Sequence, residues 1–263
     1  MKLIALITLV LGVAVFAGTA SAAPKSSYPW HDEFRGSAGT APNPSDWTYD
    51  IGHGGGGWGN GELEAYTSDP ANVQLDGRGH LVITALREPD GSYTSARLKT
   101  QGLYSFEYGH IEARIKLPAG KGLWPAFWLL GANYPQVGWP ACGELDVMEM
   151  VGQQPSIVHG TIHGPGPDYV NGFGGIFQSP TPLTGNFHVY AADWTPAYVT
   201  FSVDGSPYFT INRSQIPPPN QWALDNSMYI ILDLAVGGVW PGSPTASTPF
   251  PARMVVDYVR VST

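Results

Sequence analysis

The residues with the clearest chemical potential are three carboxylates near the middle of the chain. Glu144, Asp146 and Glu149 lie within the segment GELDVME at 143–149, which is otherwise apolar. On a regular strand Glu144 and Asp146 point to the same face, whereas Glu149, at an odd spacing, points to the other. One extra residue in a β-bulge would bring Glu149 onto that same face, and we predict that Met148 is this residue.

Three carboxylates on one face of a cleft suit the hydrolysis of glycosidic bonds. A retaining glycosidase uses one carboxylate as nucleophile and a protonated partner, about 5–5.5 Å away, as acid and then base. Asp146, placed between the two glutamates, can share a proton with a neighbour and so separate the pKa values of the titrating groups. The residues alone leave two other interpretations open, namely a solvated strand face and an acidic patch that binds calcium.

The elements that must position these acids read as short strands. Glycine (33 residues) and proline (24) are abundant, aromatic residues reach 12%, and charged residues are only 13%, about half the usual fraction. This composition argues against a helical bundle. Nine segments carry a strand pattern, and they are 81–85, 108–117, 123–130, 144–151, 157–163, 187–194, 198–203, 228–236 and 254–261.

Local signals refine this pattern. Asp204-Gly205 predicts a hairpin turn, and 213–216 predicts a short helical turn that the following prolines end. In the last strand, regular alternation places Val255 on one face together with Asp257, Val259 and Val261. The sequence therefore predicts a single all-β domain over residues 23–263, built from two large packed antiparallel sheets.

The charge of the chain limits its partners. With 13 basic and 21 acidic residues the formal net charge is −8, and no run of Lys or Arg is available to neutralise phosphates. We therefore expect no nucleic-acid partner and no attraction to anionic lipid. An uncharged sugar polymer fits best.

The first 22 residues have the pattern of a signal peptide. A lysine at position 2 precedes an apolar run over 3–17, and small residues follow at 20–22. The run is shorter than the ~20 residues of a membrane-spanning helix, so we expect secretion and no membrane association after cleavage. The single cysteine, Cys142, has no partner for an intrachain disulfide.

The acidic segment resembles the signature of the family 16 glycoside hydrolases, in which an optional extra residue precedes the last Glu. The longer form found here is typical of the bacterial laminarinase-like endo-1,3-β-glucanases, whereas the mixed-linkage lichenases resemble the shorter form. Other segments resemble the family in the same order, namely WGNGELEAYT at 58–67, WPAFWLL at 124–130, HGTIHG at 159–164, LAVGG at 234–238 and VDYVRV at 256–261.

This resemblance implies a fold and a mechanism. The fold is a curved β-jelly-roll sandwich (concanavalin-like) with a substrate cleft across its concave face. Glu144 would be the nucleophile, Glu149 the acid/base and Asp146 the assisting carboxylate. The substrate would be a β-1,3-glucan of the laminarin type, with no cofactor for catalysis, and we expect the enzyme to act as a monomer.

Several further residues are candidates for sugar binding. Trp124 and Trp128 are four residues apart and share a strand face, so they either line the cleft or belong to the core. Trp139 and Trp240 lie in loops that we expect at the cleft. Asn60 and Arg97 resemble family positions that bond sugar hydroxyls, although a turn-capping Asn and a surface ion pair would explain them too.

Two histidines invite a metal interpretation. His159 and His163 lie ~13 Å apart on a strand, which is too far to chelate one zinc ion. We instead expect His163 beside the acid/base, while His159 lies either in the cleft or in the core.

A structural calcium ion is a separate expectation. The resemblance implies a site built from Glu33, a carbonyl near Gly79, and Asp257, all of which offer the oxygen ligands that calcium prefers. An ordinary pair of surface acids is the alternative.

Asp233 departs from the family pattern, which usually has Asn before LAV at 234–236, and a charge there could alter substrate preference. Two other functions stay open on separate grounds. One is the same mechanism on another β-glycan, such as mixed-linkage glucan or a galactan. The other is a β-glucan-binding protein without catalysis.

Overall fold

The computed structural model describes residues 28–262, and the predicted signal peptide at 1–22 lies outside these residues. The described chain forms a ten-stranded sheet and a seven-stranded sheet. Among residues 28–262, no helix is both long and apolar enough to cross a membrane.

In chain order the strands are β1 (Trp30–Asp32), β2 (Thr48–Asp50), β3 (Glu64–Tyr66), β4 (Val73–Leu75), β5 (Leu81–Arg87), β6 (Tyr93–Ser95), β7 (Arg97–Lys99), β8 (Gly109–Lys116), β9 (Leu123–Gly131), β10 (Glu144–Glu149), β11 (Ile157–His163), β12 (Phe173–Gln178), β13 (His188–Trp194), β14 (Tyr198–Val203), β15 (Ser206–Asn212), β16 (Met228–Val236) and β17 (Ala252–Ser262). The described helical segments are α1 (Tyr134–Val137), a π-type turn (Gly57–Gly61) and a 3₁₀ turn (Arg213–Gln215).

The seven-stranded sheet has the order β12-β11-β10-β9-β16-β7-β2, and all of its pairings are antiparallel. The other sheet runs β15-β14-β13-β8-β17-β5-β6-β3, with β1 beside β17 and β4 beside β5. Its β3–β6 pair is parallel. The predicted all-β jelly-roll sandwich is confirmed, and the three acids lie on β10, near the middle of the seven-stranded sheet.

The core lies between the two sheets. Alternate residues of β16, such as Ile230, Leu232 and Leu234, are completely buried and pack in one cluster with Ile111 and Ile115 of β8. Burial of each such side chain contributes about 1.5–3 kcal/mol. The opposite face of the seven-stranded sheet has a small apolar cluster of its own, formed by Leu130, Cys142, Tyr229 and Ile231 with Trp128 packed against it. The seven-stranded sheet, which carries the three acids, is therefore packed against apolar side chains on both of its faces.

All nine predicted strands are present with small differences at their ends, and so are the Asp204-Gly205 hairpin and the turn after β15. The predicted alternation of faces within the last strand was wrong. A bulge between Val256 and Tyr258 shifts the register of β17 against β8, so Val256 points into the core with Val259, whereas Val255 is only half-buried. Regular alternation fails there because one bulged residue reverses the parity of the strand.

Candidate active site

The bulge expected in β10 is present and has a different extra residue. Against β9, Asp146 pairs with Trp128 and Met148 pairs with Phe127, so Val147 has no opposite residue. The predicted choice of Met148 was therefore wrong, because the pairing with β9 decides which residue is extra. On the β11 side the register shifts between Asp146 and Glu149, and this shift corrects the odd spacing.

Glu144 and Asp146 share one histidine partner. His163 lies opposite Glu144 in the β10–β11 register, and its Nε2 is 3.1 Å from Oδ2 of Asp146 and 4.0 Å from Oε1 of Glu144. Its Nδ1 donates to the carbonyl of Tyr169 at 2.6 Å. The expectation that His163 lies beside the acid/base Glu149 was wrong, since the antiparallel register brings it to the other end of β10.

Glu149 has different neighbours. It lies opposite His159 on β11, and the indole Nε1 of Trp124 donates to its Oε1 at 3.0 Å. The His159 ring packs edge-on against Trp240 with the ring centroids 4.8 Å apart. His159 therefore belongs to the cleft side of the sheet, with the acid that ends β10.

These neighbours give the two glutamates different electrostatic settings. Burial, followed by repulsion from Asp146, raises the pKa of Glu144 to about 8, and the same causes raise the pKa of Glu149 well above its usual range. Burial opposes the charge on His163, but contact with Asp146 and Glu144 raises its pKa to about 10, whereas burial lowers the pKa of His159. Glu144 thus faces a cation and Glu149 faces a neutral ring.

This difference assigns the proton within the pair. Repulsion makes the second ionisation of neighbouring carboxylates much harder than the first. Glu144, next to the imidazolium, is the first of the two glutamates to ionise, and Glu149 retains its proton to higher pH. One anionic and one protonated carboxyl is the pairing that acid-assisted nucleophilic attack requires.

The ligand atoms of Glu144, Asp146 and His163 lie within 4.8 Å of one another, which is close enough to hold a metal ion. Both ring nitrogens of His163 are engaged, however, one with the Tyr169 carbonyl and one toward the acids. A protonated imidazole has no lone pair for a metal. The arrangement fits a charge-neutralising cluster better than a metal site.

Four indoles surround the acids. Trp124 and Trp128 are both half-buried on the same face of β9. Trp240 is 41% exposed and meets Trp124 edge-on at 5.4 Å. Trp139 is 42% exposed and packs edge-on against Tyr169, beside His163. Exposed indole surfaces therefore lie at both ends of the acid row, where they can stack on apolar ring faces.

The comparison with known proteins identifies the family. The family model described as glycosyl hydrolases family 16 matches residues 61–260. The chain belongs to this family. It is therefore a glycoside hydrolase that acts on O-glycosyl bonds, and the family resemblance drawn from the sequence is confirmed.

Similar proteins support the assignment along most of the chain. A β-glucanase of Rhodothermus marinus is 41% identical over 268 residues, which cover 97% of this chain and 92% of that protein. The solved endo-β-1,3-glucanase of Pyrococcus furiosus is 48% identical with a TM-score of 0.82, covering 89% of this chain and 93% of that one. The laminarinase catalytic domain of Thermotoga maritima is 41% identical with a TM-score of 0.83, covering 89% and 97%.

In this family 16 glycoside hydrolase, Arg97 lies between two indoles. Its guanidinium carbon is 5.0 Å from the ring centroid of Trp58 and 4.7 Å from that of Trp128. Its Nε is 3.0 Å from Oδ2 of Asp50 on β2. Asp50 is the partner of Arg97 because β2 lies next to β7 in the seven-stranded sheet. Arg97 is thus fixed at the edge of the cleft.

The side chain of Asn60 is hydrogen-bonded to Glu62. The Asn60 Nδ2 donates to Oε1 of Glu62 at 3.1 Å, and the Asn60 carbonyl accepts from the backbone N–H of Val239 at 2.8 Å. The Asn60 segment is thereby tied to the loop that carries Trp240. Asn60 and Arg97 both lie on the same side of the cleft as Asp233. In the antiparallel register of β16 and β7, Asp233 lies directly opposite Arg97.

The residues expected to bind calcium lie on the other sheet. Both carboxylate oxygens of Glu33 accept from Arg260, at 2.8 and 3.0 Å, so this carboxylate is not free for a metal. The Glu33 backbone carbonyl, in contrast, lies 3.8 Å from the position that a Cβ on Gly79 would take. Asp257 contacts Arg114 through Oδ2. Glu33 is therefore left with its backbone carbonyl as an oxygen donor, and Asp257 with Oδ1, which lies 3.9 Å from Nε2 of His80. Both are the type of oxygen ligand that calcium takes, whereas the Glu33 side chain is occupied by Arg260.

The sequence did not reveal the buried residues behind the cleft. Tyr66 is fully buried and its hydroxyl contacts both Glu62 and Asp233. Glu64 is also fully buried and accepts from the Val236 N–H at 2.7 Å. The signal that was present is the accumulation of acids at 62 and 64, at the start of β3, in a charge-poor chain.

Proposed function

We propose that this glycoside hydrolase cleaves internal β-1,3 linkages of laminarin-type glucan with retention of configuration. The observation that carries the proposal is the bulged strand β10, which brings Glu144 and Glu149 into one row with a cation beside the first and a neutral ring beside the second. The names of the similar solved proteins, endo-β-1,3-glucanase and laminarinase, support the substrate class.

The chemistry follows a double displacement. The Glu144 carboxylate attacks the anomeric carbon and forms a glycosyl ester, while Glu149 gives its proton to the departing glycosidic oxygen. Glu149, now ionised, takes a proton from water, and the resulting hydroxide oxygen attacks the anomeric carbon and releases Glu144. Two inversions at one carbon retain its configuration.

Asp146 and His163 support the first step. The imidazolium neutralises Asp146 at 3.1 Å and reaches Glu144 at 4.0 Å, so the nucleophile can ionise despite its burial. As the glycosyl ester forms, the negative charge on Glu144 disappears. Asp146 then keeps His163 protonated until hydrolysis restores the carboxylate, because the opposite charge remains in contact.

The substrate residues are assigned by their position around this row. We assign Trp128, Trp139 and Trp240 to stacking on sugar rings, with Trp124 also holding Glu149. Asn60 and Arg97 are assigned to sugar hydroxyls, since both carry N–H donors and both are fixed by neighbouring acids.

The decisive experiment measures the release of reducing sugar from laminarin by the mature protein and by Glu144→Gln, with Glu107→Gln at an exposed position as the matched control. Loss of the nucleophile should reduce kcat by more than about 10⁴-fold, and the control should keep full activity. The appearance of mixed oligosaccharides early in the reaction would support internal cleavage. If the intact protein is inert on laminarin, the substrate proposal fails.

A second pair of measurements separates the roles of the two glutamates. Glu149→Gln should lose about 10²–10⁴-fold on laminarin and regain much of that rate on an aryl glucan whose leaving group needs no proton. Glu144→Gln should not regain it. Assays of lichenan and agar decide between another β-glycan and a binding protein without catalysis, since the latter would cleave none of these polymers.

We also propose that the protein is exported after removal of residues 1–22, for which the apolar N-terminal run is the support, and that it then acts as a monomer. The N-terminal sequence and the elution volume of the secreted protein test both statements.

A structural calcium ion is part of this proposal. The carbonyls of Glu33 and Gly79 and Oδ1 of Asp257 would hold it, and the ion would stabilise the convex sheet, far from the chemistry.

A further inference from the structure

The hydroxyl group of Tyr66 lies between two carboxyl groups, those of Glu62 and Asp233, but has only one proton to donate. Its hydroxyl oxygen is 3.0 Å from Oε2 of Glu62 and 3.2 Å from Oδ2 of Asp233. A phenol donates one hydrogen bond, and an ionised carboxylate donates none. The two contacts can both be hydrogen bonds only when one of the two carboxyls is protonated and donates to the phenol oxygen.

The other oxygens of both carboxyls are already occupied by donors from the cleft. The Trp128 Nε1 donates to Oδ1 of Asp233 at 2.7 Å, and the Asn60 Nδ2 donates to Oε1 of Glu62 at 3.1 Å. One proton therefore completes an unbroken hydrogen-bonded chain from Trp128 through Asp233, Tyr66 and Glu62 to Asn60. Both ends of the chain are residues assigned to substrate.

The surroundings of Asp233 place the extra proton on this residue. Asp233 is 5% exposed, and its burial raises its pKa to about 7, although the Arg97 guanidinium opposes this and Glu62 adds to it. The phenol of Tyr66 stays protonated because burial and the nearby acids raise its pKa well above its usual range.

The remaining groups that face Asp233 keep their charge state around neutral pH. Arg97, on β7, has a raised pKa because Asp233 and other anions outweigh its burial, and it is shared with Asp50 on β2. Glu64, on β3, has a pKa raised to about 9 by burial and by Glu62, so it remains protonated. Asp233 is the member of this group that titrates near pH 7.

We propose that Asp233 is a positioning residue which holds a proton below neutral pH and, through Tyr66 and Glu62, fixes Trp128 and Asn60 for substrate. This proposal rests on the proposed function for the roles of those two cleft residues. Above neutral pH the proton is lost, two anions compete for one phenol hydrogen, and the chain breaks at Tyr66. Substrate affinity then falls, by roughly fivefold for one hydrogen bond.

Asp233→Asn tests the proposal because the amide reproduces the protonated acid. Its oxygen can accept from Trp128 and its N–H can donate to the phenol oxygen at every pH. We expect wild-type KM for laminarin to rise roughly fivefold between pH 6 and pH 8, and we expect the variant to keep the pH 6 value throughout. The titrations of Glu144 and Glu149 remain in both proteins and affect kcat alike.

Two readouts do not depend on activity. In the wild type, the infrared band of protonated carboxylic acids should be present at pH 5.5, and the part contributed by Asp233 should disappear as the pH rises through 7. This pH-dependent part of the band should be missing in Asp233→Asn. The unfolded side chain ionises near pH 3.8, whereas the folded one holds its proton to about 7. Folding of the wild type therefore becomes less favourable between pH 4 and pH 7. Over this range the melting temperature of Asp233→Asn should rise relative to that of the wild type, and above pH 7 the difference between them should remain constant.

The outcomes separate this proposal from the proposed function. If laminarin is not cleaved, the infrared and melting measurements still decide where the proton is. An unchanged infrared band in Asp233→Asn, or the same pH dependence of melting in both proteins, would overturn the proposal. As a second variant, Tyr66→Phe removes the hydroxyl that links Glu62 to Asp233. Its KM for laminarin should already exceed the wild-type value at pH 6 and should rise no further at pH 8. A KM equal to wild type at pH 6 would also overturn it.

Discussion

His163 lies directly opposite Glu144 across the β10–β11 pairing, with its Nε2 atom 4.0 Å from the carboxylate Oε1. The same nitrogen is 3.1 Å from Asp146, so a single cation serves two acids. Glu149, at the other end of β10, lies opposite the neutral ring of His159. A pair of histidines four residues apart on one strand thus distinguishes two chemically identical side chains.

Removal of this cation should shift the pH profile. In His163→Gln the repulsion between Asp146 and Glu144 is no longer compensated, so the pKa of Glu144 rises further. The acidic limb of kcat/KM on laminarin should move to higher pH by at least about one unit. His188→Gln, which removes a histidine bonded to Asp204 on the other sheet, is the control. Identical acidic limbs in His163→Gln and the control would contradict the electrostatic role.

The bulge in β10 makes an unusual deletion tolerable. Asp146 and Glu149 lie opposite Trp128 and Ala126, which are two residues apart on β9. Deletion of Val147 would leave one residue between the two acids, and a regular strand would keep both on the cleft face. We expect this variant to fold with reduced stability and to retain measurable hydrolysis of laminarin.

Deletion of Leu145 is the matched comparison. It removes a buried apolar residue of the same strand, but it puts Glu144 directly next to Asp146, so that the two acids point to opposite faces. A folded protein without activity is expected, as judged by circular dichroism and sugar release. Equal activity of the two deletions would show that strand parity does not control the site.

Much of the architecture could be predicted because strand patterns depend on local sequence. The odd spacing of Glu149 predicted a bulge, and the bulge is present. The extra residue could not be chosen, since Val147 and Met148 are both buried and only the pairing with Phe127 separates them. The same limit explains β17, where nothing in the alternation of apolar residues marks the bulge near Asp257.

The site partners were harder to predict than the acids themselves. The prediction for His163 was wrong, and His159 could only be left open between cleft and core, because a histidine's neighbour depends on the register between strands, which a single sequence does not contain. Arg97 pairs with Asp50, far away in the chain, because β2 and β7 are adjacent in the sheet. Burial of Asp233 and Tyr66 on the cleft side likewise results from sheet order.

The exposed indole of Trp240 should contribute to substrate binding. It lies beside His159 and Trp124 and is 41% exposed, so its loss removes stacking surface without leaving a cavity in the core. Trp240→Ala should raise KM for laminarin by about fivefold to tenfold, with a smaller effect on kcat. Tyr198→Ala, at a similarly exposed aromatic on the other sheet, should leave both constants unchanged. A KM unaffected by Trp240→Ala would remove this residue from the cleft assignment.

Calcium should stabilise the protein without taking part in catalysis. An ion at 100 times its Kd stabilises the folded state by about 2.7 kcal/mol, and each kcal/mol shifts the Tm of a domain this size by about 2–4 °C. Calorimetry in EDTA and in excess calcium should therefore show a Tm difference of roughly 5–10 °C, with equal activity at temperatures where both forms are folded. Asp257→Asn also loses the charge that faces Arg114, so its Tm differs from wild type even without calcium. The informative quantity is therefore the increase in Tm that calcium causes. This increase should be smaller in Asp257→Asn and unchanged in the control Asp193→Asn. A wild-type Tm that is the same in EDTA and in calcium would show that the carbonyls of Glu33 and Gly79 hold no ion.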